Sequence, residues 1–393
     1  MLLPALLALT LTQAAPAALT STAEKSGWTR TGRYAEVESL CRAFAQRYPG
    51  KARCDPFGTT PEGRPMLALV ASADGTLTPA AAVKKQRPVV YFQGGIHAGE
   101  IDGKDAGFWL LRDVLDGKAL PGVLGQVTAV FVPVFNVDGH ERFGPNNRPN
   151  QVGPEEMGWR TTGQNYNLNR DYAKADAPEM LALLTLLSTW DPLVTIDLHV
   201  TDGAQFEHDV SVQLEPQKTG PEPLRAPGEK LIAELMKGLE AQGHLPLTFY
   251  PAFETWDDPQ SGVSYGVSPP RFSHPYWLAH RRYGALVETH SWKTFAHRVA
   301  TTRHVLEGLL SLFARDGQAL MKARAAVDAE AESGGVREVV LAWDHTQDSH
   351  PIAFRGYAYE RSPSDLTGLP WIRYDPTRPQ VWTIPYHDQL APT

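Results

Sequence analysis

An excess of positive charge is missing from this chain. Lys and Arg number 37 against 44 Asp and Glu, a formal net charge of -7 over 393 residues. There is thus no basic footprint for nucleic acid, and no nucleic-acid partner is expected. No internal repeat or low-complexity tract interrupts the sequence. No apolar run is long enough to span a bilayer: the N-terminal segment from Leu2 to Leu11 is too short. Only two cysteines occur, Cys41 and Cys54, and neither lies near the N-terminal small-residue region, so no lipid or membrane anchor is expected.

What is present fits a globular protein: 42% hydrophobic and 21% charged residues. The length suits one large domain, or one plus a small appendage. After Leu11 come Ala14, Ala15, Ala17 and Ala18, the small residues of a signal-peptidase site. Residues 1–18 therefore read as a signal peptide and the protein as exported, periplasmic or secreted, although the usual positive n-region is missing apart from the α-amino group. In an exported protein Cys41 and Cys54 read as a disulfide tying a helix to the following strand; in the cytosol they would be two buried thiols.

Hydrophobic periodicity predicts helices over Tyr34–Tyr48, Asp105–Leu115, Ala177–Trp190 and from Thr294 to about Ala331. Apolar strands are expected over Met66–Ala71, Pro88–Gln93, Val127–Phe135, Leu193–His199 and Gly284–Glu288. The region from Asn136 to Asp176 is polar and rich in Gly, Pro and Asn, and reads as loop. Continuous apolar strands alternating with helices imply an α/β fold: a mostly parallel mixed sheet covered by helices on both faces. Residues 27–330 are assigned to this domain. After Ser333-Gly334-Gly335 the texture changes. Arg337–Trp343, Ile352–Tyr359 and Gln380–Tyr386 read as strands of a small C-terminal β appendage, residues 335–393, whose completeness the sequence leaves open.

Sites in such sheets form beyond the carboxyl ends of strands. His97 and Glu100 follow the apolar run that ends in Gly94-Gly95, three residues apart. Imidazole and carboxylate at this spacing can hold one zinc ion, and a catalytic zinc commonly takes three protein ligands. The strand ending in Asp197-Leu198-His199 offers the third, His199. Glu288 ends the last core strand, and the intervening loop carries Trp159-Arg160 and then Tyr166-Asn167-Leu168-Asn169-Arg170.

This ordered set, His-x-x-Glu, Trp-Arg, Asn-Arg, a strand-end His and a strand-end Glu, resembles the zinc metallocarboxypeptidases of the carboxypeptidase A/B type. The stretches YAEVESLCRAFAQRYPG and GTTPEGRPMLALVAS resemble that family as well, so the likeness covers roughly residues 30 to 315. The resemblance implies one Zn2+ on His97, Glu100 and His199, and Arg160 polarising the scissile carbonyl. It implies Asn169 and Arg170 gripping the terminal carboxylate of a peptide substrate, and Glu288 as general base. Three departures stand out. Asn167 occupies a position where the family often has an Asp that orients a ligand histidine. The family's mobile tyrosine before the catalytic Glu is best matched by Tyr265, with Tyr276 and Tyr250 behind it. The contexts of His199 (Asp-Leu-His-Val-Thr-Asp) and Glu288 (Glu-Thr-His) resemble the aspartoacylase and succinylglutamate desuccinylase group.

Three functions compete: an exported metallocarboxypeptidase, a zinc deacylase or amidase of N-acyl amino acids, and a non-catalytic binding protein on the same fold. The presence of every ligand and of the base argues against the third. Asp102 and Asp202 are candidate outer-shell groups. His208, His274 and His297, and Trp256, Trp277 and Trp292, are more simply read as structural. Oligomeric state is not legible.

Overall fold

A computed structural model describes residues 19–255, 258–336, 338–340 and 342–393. Residues 1–18, read from the sequence as a signal peptide, and Trp256 lie outside the described residues. In chain order, the helices are α1 (Thr22–Lys25), α2 (Tyr34–Arg47), α3 (Pro79–Lys84), α4 (Asp102–Leu115), α5 (Val137–Glu141), α6 (Pro178–Trp190), α7 (Glu222–Ala241), α8 (Ser273–Ala279) and α9 (Phe295–Glu332). The strands are β1 (Ala52–Thr59), β2 (Pro65–Ala71), β3 (Val89–Gly94), β4 (Thr128–Val132), β5 (Val194–Val200), β6 (Val210–Glu215), β7 (Pro246–Leu247), β8 (Val263–Ser264), β9 (Tyr283–Thr289), β10 (Trp343–His345), β11 (His350–Pro363), β12 (Pro370–His387) and β13 (Leu390–Pro392).

Eight strands form one sheet in the order β1-β2-β4-β3-β5-β9-β6-β7. Its centre, β4-β3-β5-β9, is parallel throughout. β2 joins β4, and β6 joins β9, in antiparallel pairs. The apolar, β-branched composition of the central strands follows from burial on both faces: every residue of β3, β4 and β5 is buried. The two covering layers can be read from β5, whose successive side chains point to opposite faces. Leu198 lies against Gly103 of α4, where an added Cβ would come within 2.8 Å of it. Asp197, on the other face, meets Ser273 of α8. The expected mixed sheet with helices on both sides is the observed fold.

Cys41 of α2 and Cys54 of β1 are joined in a disulfide, helix to following strand as the sequence suggested. Two sequence expectations shift. Among the described residues between 337 and 342 no strand forms; the first strand of the C-terminal region is β10, three residues long. There follow a long β11–β12 hairpin, whose β12 pairs in parallel with β8, and β13, which pairs antiparallel with β10. Phe354, Trp382, Ile384 and Tyr386 of the hairpin share a second hydrophobic cluster with Phe206, Leu247, Phe249, Val263 and Tyr265. The hairpin is packed into the preceding domain, not suspended from it.

Candidate metal centre

β3 ends at Gly94, and the chain must turn sharply there. Gly94 sits where a Cβ would come within 2.8 Å of the Pro133 carbonyl, and Gly95 has φ +63°. The turn that follows brings the Glu100 N–H to the His97 carbonyl (2.8 Å), and α4 begins two residues later. His97 and Glu100 thus project from a strand-to-helix turn. β5 pairs in parallel with β3 and brings in His199, and β9 pairs with β5 so that Glu288 stands directly beside His199 in register. One donor atom from each of His97, Glu100 and His199 lies within 4.8 Å of the others. The sequence-proposed ligand set therefore converges.

All three are buried. Their surroundings suit a cation. His97 Nδ1 is a buried nitrogen with no hydrogen-bond partner. Burial drops His97 to about 3, which keeps the ring neutral with a lone pair to give. His199 places Nδ1 3.0 Å from Glu100 Oε2 and Nε2 2.9 Å from Asp197 Oδ2. Burial alone would lower His199; the charges of Asp197 and Glu100 overcome it and hold the ring well above its ordinary value. The pocket thus favours a positive charge at this point, which a divalent ion would supply. Asp197 Oδ2 beside Nε2 supplies a carboxylate behind the ring, the usual outer support of a ligating histidine. The residues fit one zinc ion.

Glu288 is buried, and its Oε2 has no hydrogen-bond partner. Burial, reinforced by Glu100 and Asp202, pushes its carboxyl up to about 8, against the opposing charges of His199 and Arg148. Arg160 reaches Glu100 Oε1 at 3.2 Å and remains about one-third exposed. Asn169 is buried with an unpartnered Oδ1, and Asn167 Oδ1 is likewise unpartnered. Arg170 donates to the Asn169 carbonyl (2.7 Å) and lies 4.0 Å over the Phe272 ring. Among the described residues it has no carboxylate partner. It borders a cavity of about 360 Å3 lined also by Tyr166, Asn167, Asp171, Lys174 and Arg271. Asp171, the only acidic group of that lining, already accepts the N–H groups of Asp176 and Ala177.

Tyr265 is not placed at this centre. Its ring is fully buried in the second cluster and its hydroxyl is held between Glu215 (2.5 Å) and Gln217 (2.9 Å). Tyr265 directly follows β8 and packs into the second cluster, which the spacing before Glu288 could not reveal. Tyr250 is the tyrosine that feels the charges of Glu288, Asp202 and Glu100. A buried arginine escaped the sequence reading as well. Arg148 donates to Glu100 Oε1 (2.7 Å) and to the Val200 and Thr201 carbonyls, and pairs with Asp202 (3.0 Å). It was hidden in the Gly- and Pro-rich loop. Asp102, by contrast, serves packing: it accepts from Thr289 Oγ1 and from Arg298. His208 is bound by the Leu245 carbonyl and the Arg355 N–H. His274 is buried with both ring nitrogens unpartnered, and Trp277 is buried. Trp292 is half-exposed and donates to the Gly203 carbonyl. His297 joins a separate cluster described below. No helix among the described residues is long and apolar enough to cross a membrane.

Residues 37–219 match the model of the family described as zinc carboxypeptidase, Peptidase_M14. Carboxypeptidase A4 of Mus musculus is 30% identical over 132 residues, 32% of this chain and 30% of that protein. Carboxypeptidase B of Astacus astacus is 25% identical over 114 residues, 29% of this chain and 35% of that protein. The matched segments thus span about a third of the length of these curated relatives. The carboxypeptidase A structure from Helicoverpa armigera shares the fold with a TM-score of 0.51 at 14% identity, covering 76% of this chain and 75% of that one. Turn-borne His97 and Glu100 and strand-borne His199 all lie within the matched segment: over residues 37–219 the chain is similar to the zinc carboxypeptidase family.

Proposed function

We propose that the protein is an exported zinc metallocarboxypeptidase that removes the C-terminal residue of peptides. The observation that carries this reading is Arg170: among the described residues a guanidinium without a carboxylate partner, on a cation-rich cavity and near enough to the His-Glu-His group to feel the charge of Glu100. A planar guanidinium can grip a carboxylate through two parallel hydrogen bonds, which fixes a substrate by its terminus. The Cys41–Cys54 bridge supports an oxidising compartment, and hence export.

One zinc ion held by His97, Glu100 and His199 would activate water and polarise the scissile carbonyl. The protein's own groups divide the remaining work. Arg170 and Asn169 bind the terminal carboxylate and set the register of the peptide. Arg160 donates to the carbonyl oxygen as negative charge develops on it. Glu288 takes the proton of the attacking water and passes it to the leaving amine. With its carboxyl pushed up by burial, Glu288 needs a positive charge nearby to be ionised at neutral pH, and the His-Glu-His group is where that charge would sit. Arg148 holds Glu100 from behind, and Asp197 holds His199.

Matched peptides with free and amidated C-termini test the reading, before and after chelation and zinc restoration. Cleavage of the free set alone, lost on chelation and regained with zinc, is expected. Turnover of N-acyl amino acids without cleavage of either peptide set would replace the peptidase with a deacylase.

A further inference from the structure

A second group of potential ligands lies outside the centre described above. Asp209 precedes β6, His244 follows α7, and His297 stands in the first turn of α9. One donor atom from each lies within 4.8 Å of the others. The arrangement is built. The two carboxylate oxygens of Asp209 are divided: Oδ1 accepts the Leu245 N–H (2.8 Å), while Oδ2 faces His244 Nδ1 (2.7 Å) and His297 Nε2 (2.9 Å). The far nitrogen of His244, Nε2, meets His304 Nδ1 at 2.8 Å. His304 is seven residues after His297 and therefore on the same face of α9. Thr294 caps that helix by accepting the His297 N–H, which fixes the backbone from which His297 projects.

We infer that Asp209, His244 and His297 form a second divalent-metal site, distinct from the His97-Glu100-His199 centre, with His304 as the outer support of His244. Two imidazoles and one carboxylate are a donor set suited to zinc. Ligand bonds of about 2.0–2.2 Å in a tetrahedral arrangement require donor separations of roughly 3.3 Å, so each contact opens by about half an ångström. To bind, His244 Nδ1 and His297 Nε2 must give up the protons they share with Asp209. Each neutral ring then carries its proton on the other nitrogen, so His244 Nε2 donates to His304 Nδ1, His304 keeps its own proton on Nε2, and any surplus proton leaves to solvent. Asp209 and His244 are buried, whereas the His297 side chain is 44% exposed, which gives an ion and a coordinating water a way in. The site would clamp three elements together. Asp209 also accepts the His290 N–H through its backbone carbonyl, two residues beyond Glu288. The clamp therefore secures the β6–β9 pairing at the edge of the catalytic strand.

The second site stands apart from the carboxypeptidase reading, and metal content tests it without any substrate. Wild-type protein equilibrated with excess zinc and then desalted is expected to retain two zinc ions per chain by plasma mass spectrometry. His297→Ala is expected to retain one. In a His97→Ala background, where the first centre is disabled, added zinc is expected to raise the melting temperature, and the rise is expected to vanish in His97→Ala/His297→Ala. One zinc per chain in both wild type and His297→Ala overturns the site. An equal rise in melting temperature with zinc in the single and double variants overturns it too. Should the His97 variant fail to fold, the stoichiometries of wild type, His297→Ala and His244→Asn decide alone.

Discussion

Glu288 and Arg170 carry different parts of the proposed chemistry, and their substitutions should separate in kinetics. Glu288→Gln keeps the shape and removes the proton acceptor. It should lower kcat by about 10²–10⁴-fold while zinc content stays unchanged; metal analysis alongside initial rates checks this. Unchanged kcat would remove Glu288 from the mechanism. Arg170→Ala removes a charge-assisted, two-pronged contact of about 1.5–3 kcal/mol, so kcat/KM on free-carboxylate peptides should fall by roughly 10–100-fold. Arg170→Lys should restore only part of it, because an ammonium cannot reproduce the fork. Both were candidates from the sequence alone because each stands in a short ordered motif, Glu288 at a strand end and Arg170 within the polar loop. Arg148 was not, since nothing in its local sequence distinguishes a buried arginine from a solvated one. Only the fold brings it to Glu100.

At the level of elements, the strands and helices around the centre followed from hydrophobic pattern, while others were masked by their own composition. β1 contains Pro56 and Gly58 and pairs only along one side; α7 carries Pro227 inside it. Neither matches the simple templates of a strand or a helix. Nor could pattern reveal that α4, β9 and α9 are fastened by one buried ion pair. Arg298 and Asp102 are both within 2% of full burial, and Arg298 further donates to the Val152, Gly153 and Lys293 carbonyls. Arg298→Met should destabilise the fold by about 3–5 kcal/mol, since it strands a buried carboxylate. Adding Asp102→Leu should recover part of that loss, and urea unfolding of both variants measures it. A second test concerns the β6 end. Burial raises the Glu215 carboxyl despite hydrogen bonds from Tyr265, Gln213, Gln217 and Thr219. For a raised carboxyl the stabilisation is complete below its unfolded value of about 4.3 and is lost as pH rises through its folded value. Wild type should therefore lose stability relative to Glu215→Gln as pH rises from about 4 towards neutrality. A flat difference would mean that the carboxyl is not shifted.

For the molecule as a whole, the sequence separated a catalytic region from a β-rich C-terminal region by a change of texture after Ser333. The texture change is real, but it does not mark where cores divide. Pattern reports which residues are apolar and with what period; it does not report which distant apolar surface they cover. Here β11 and β12 cover Phe206, Leu247, Phe249 and Val263, residues that lie between His199 and Glu288 in sequence. Tyr265 was misjudged for the same reason: its partners come from β6 and the hairpin, not from the centre. Removing residues from 335 onward should thus uncover an apolar surface. Burial of Phe354, Trp382, Ile384 and Tyr386 corresponds to about 1.5–3 kcal/mol per side chain, an upper range because unfolded chains already bury part of that area. The shortened protein should bind a dye such as ANS, melt at a lower temperature and aggregate on concentration. Full retention of melting temperature would show that the sheet and helices stabilise residues 204–265 unaided, and that the hairpin adds surface to the site without supporting it.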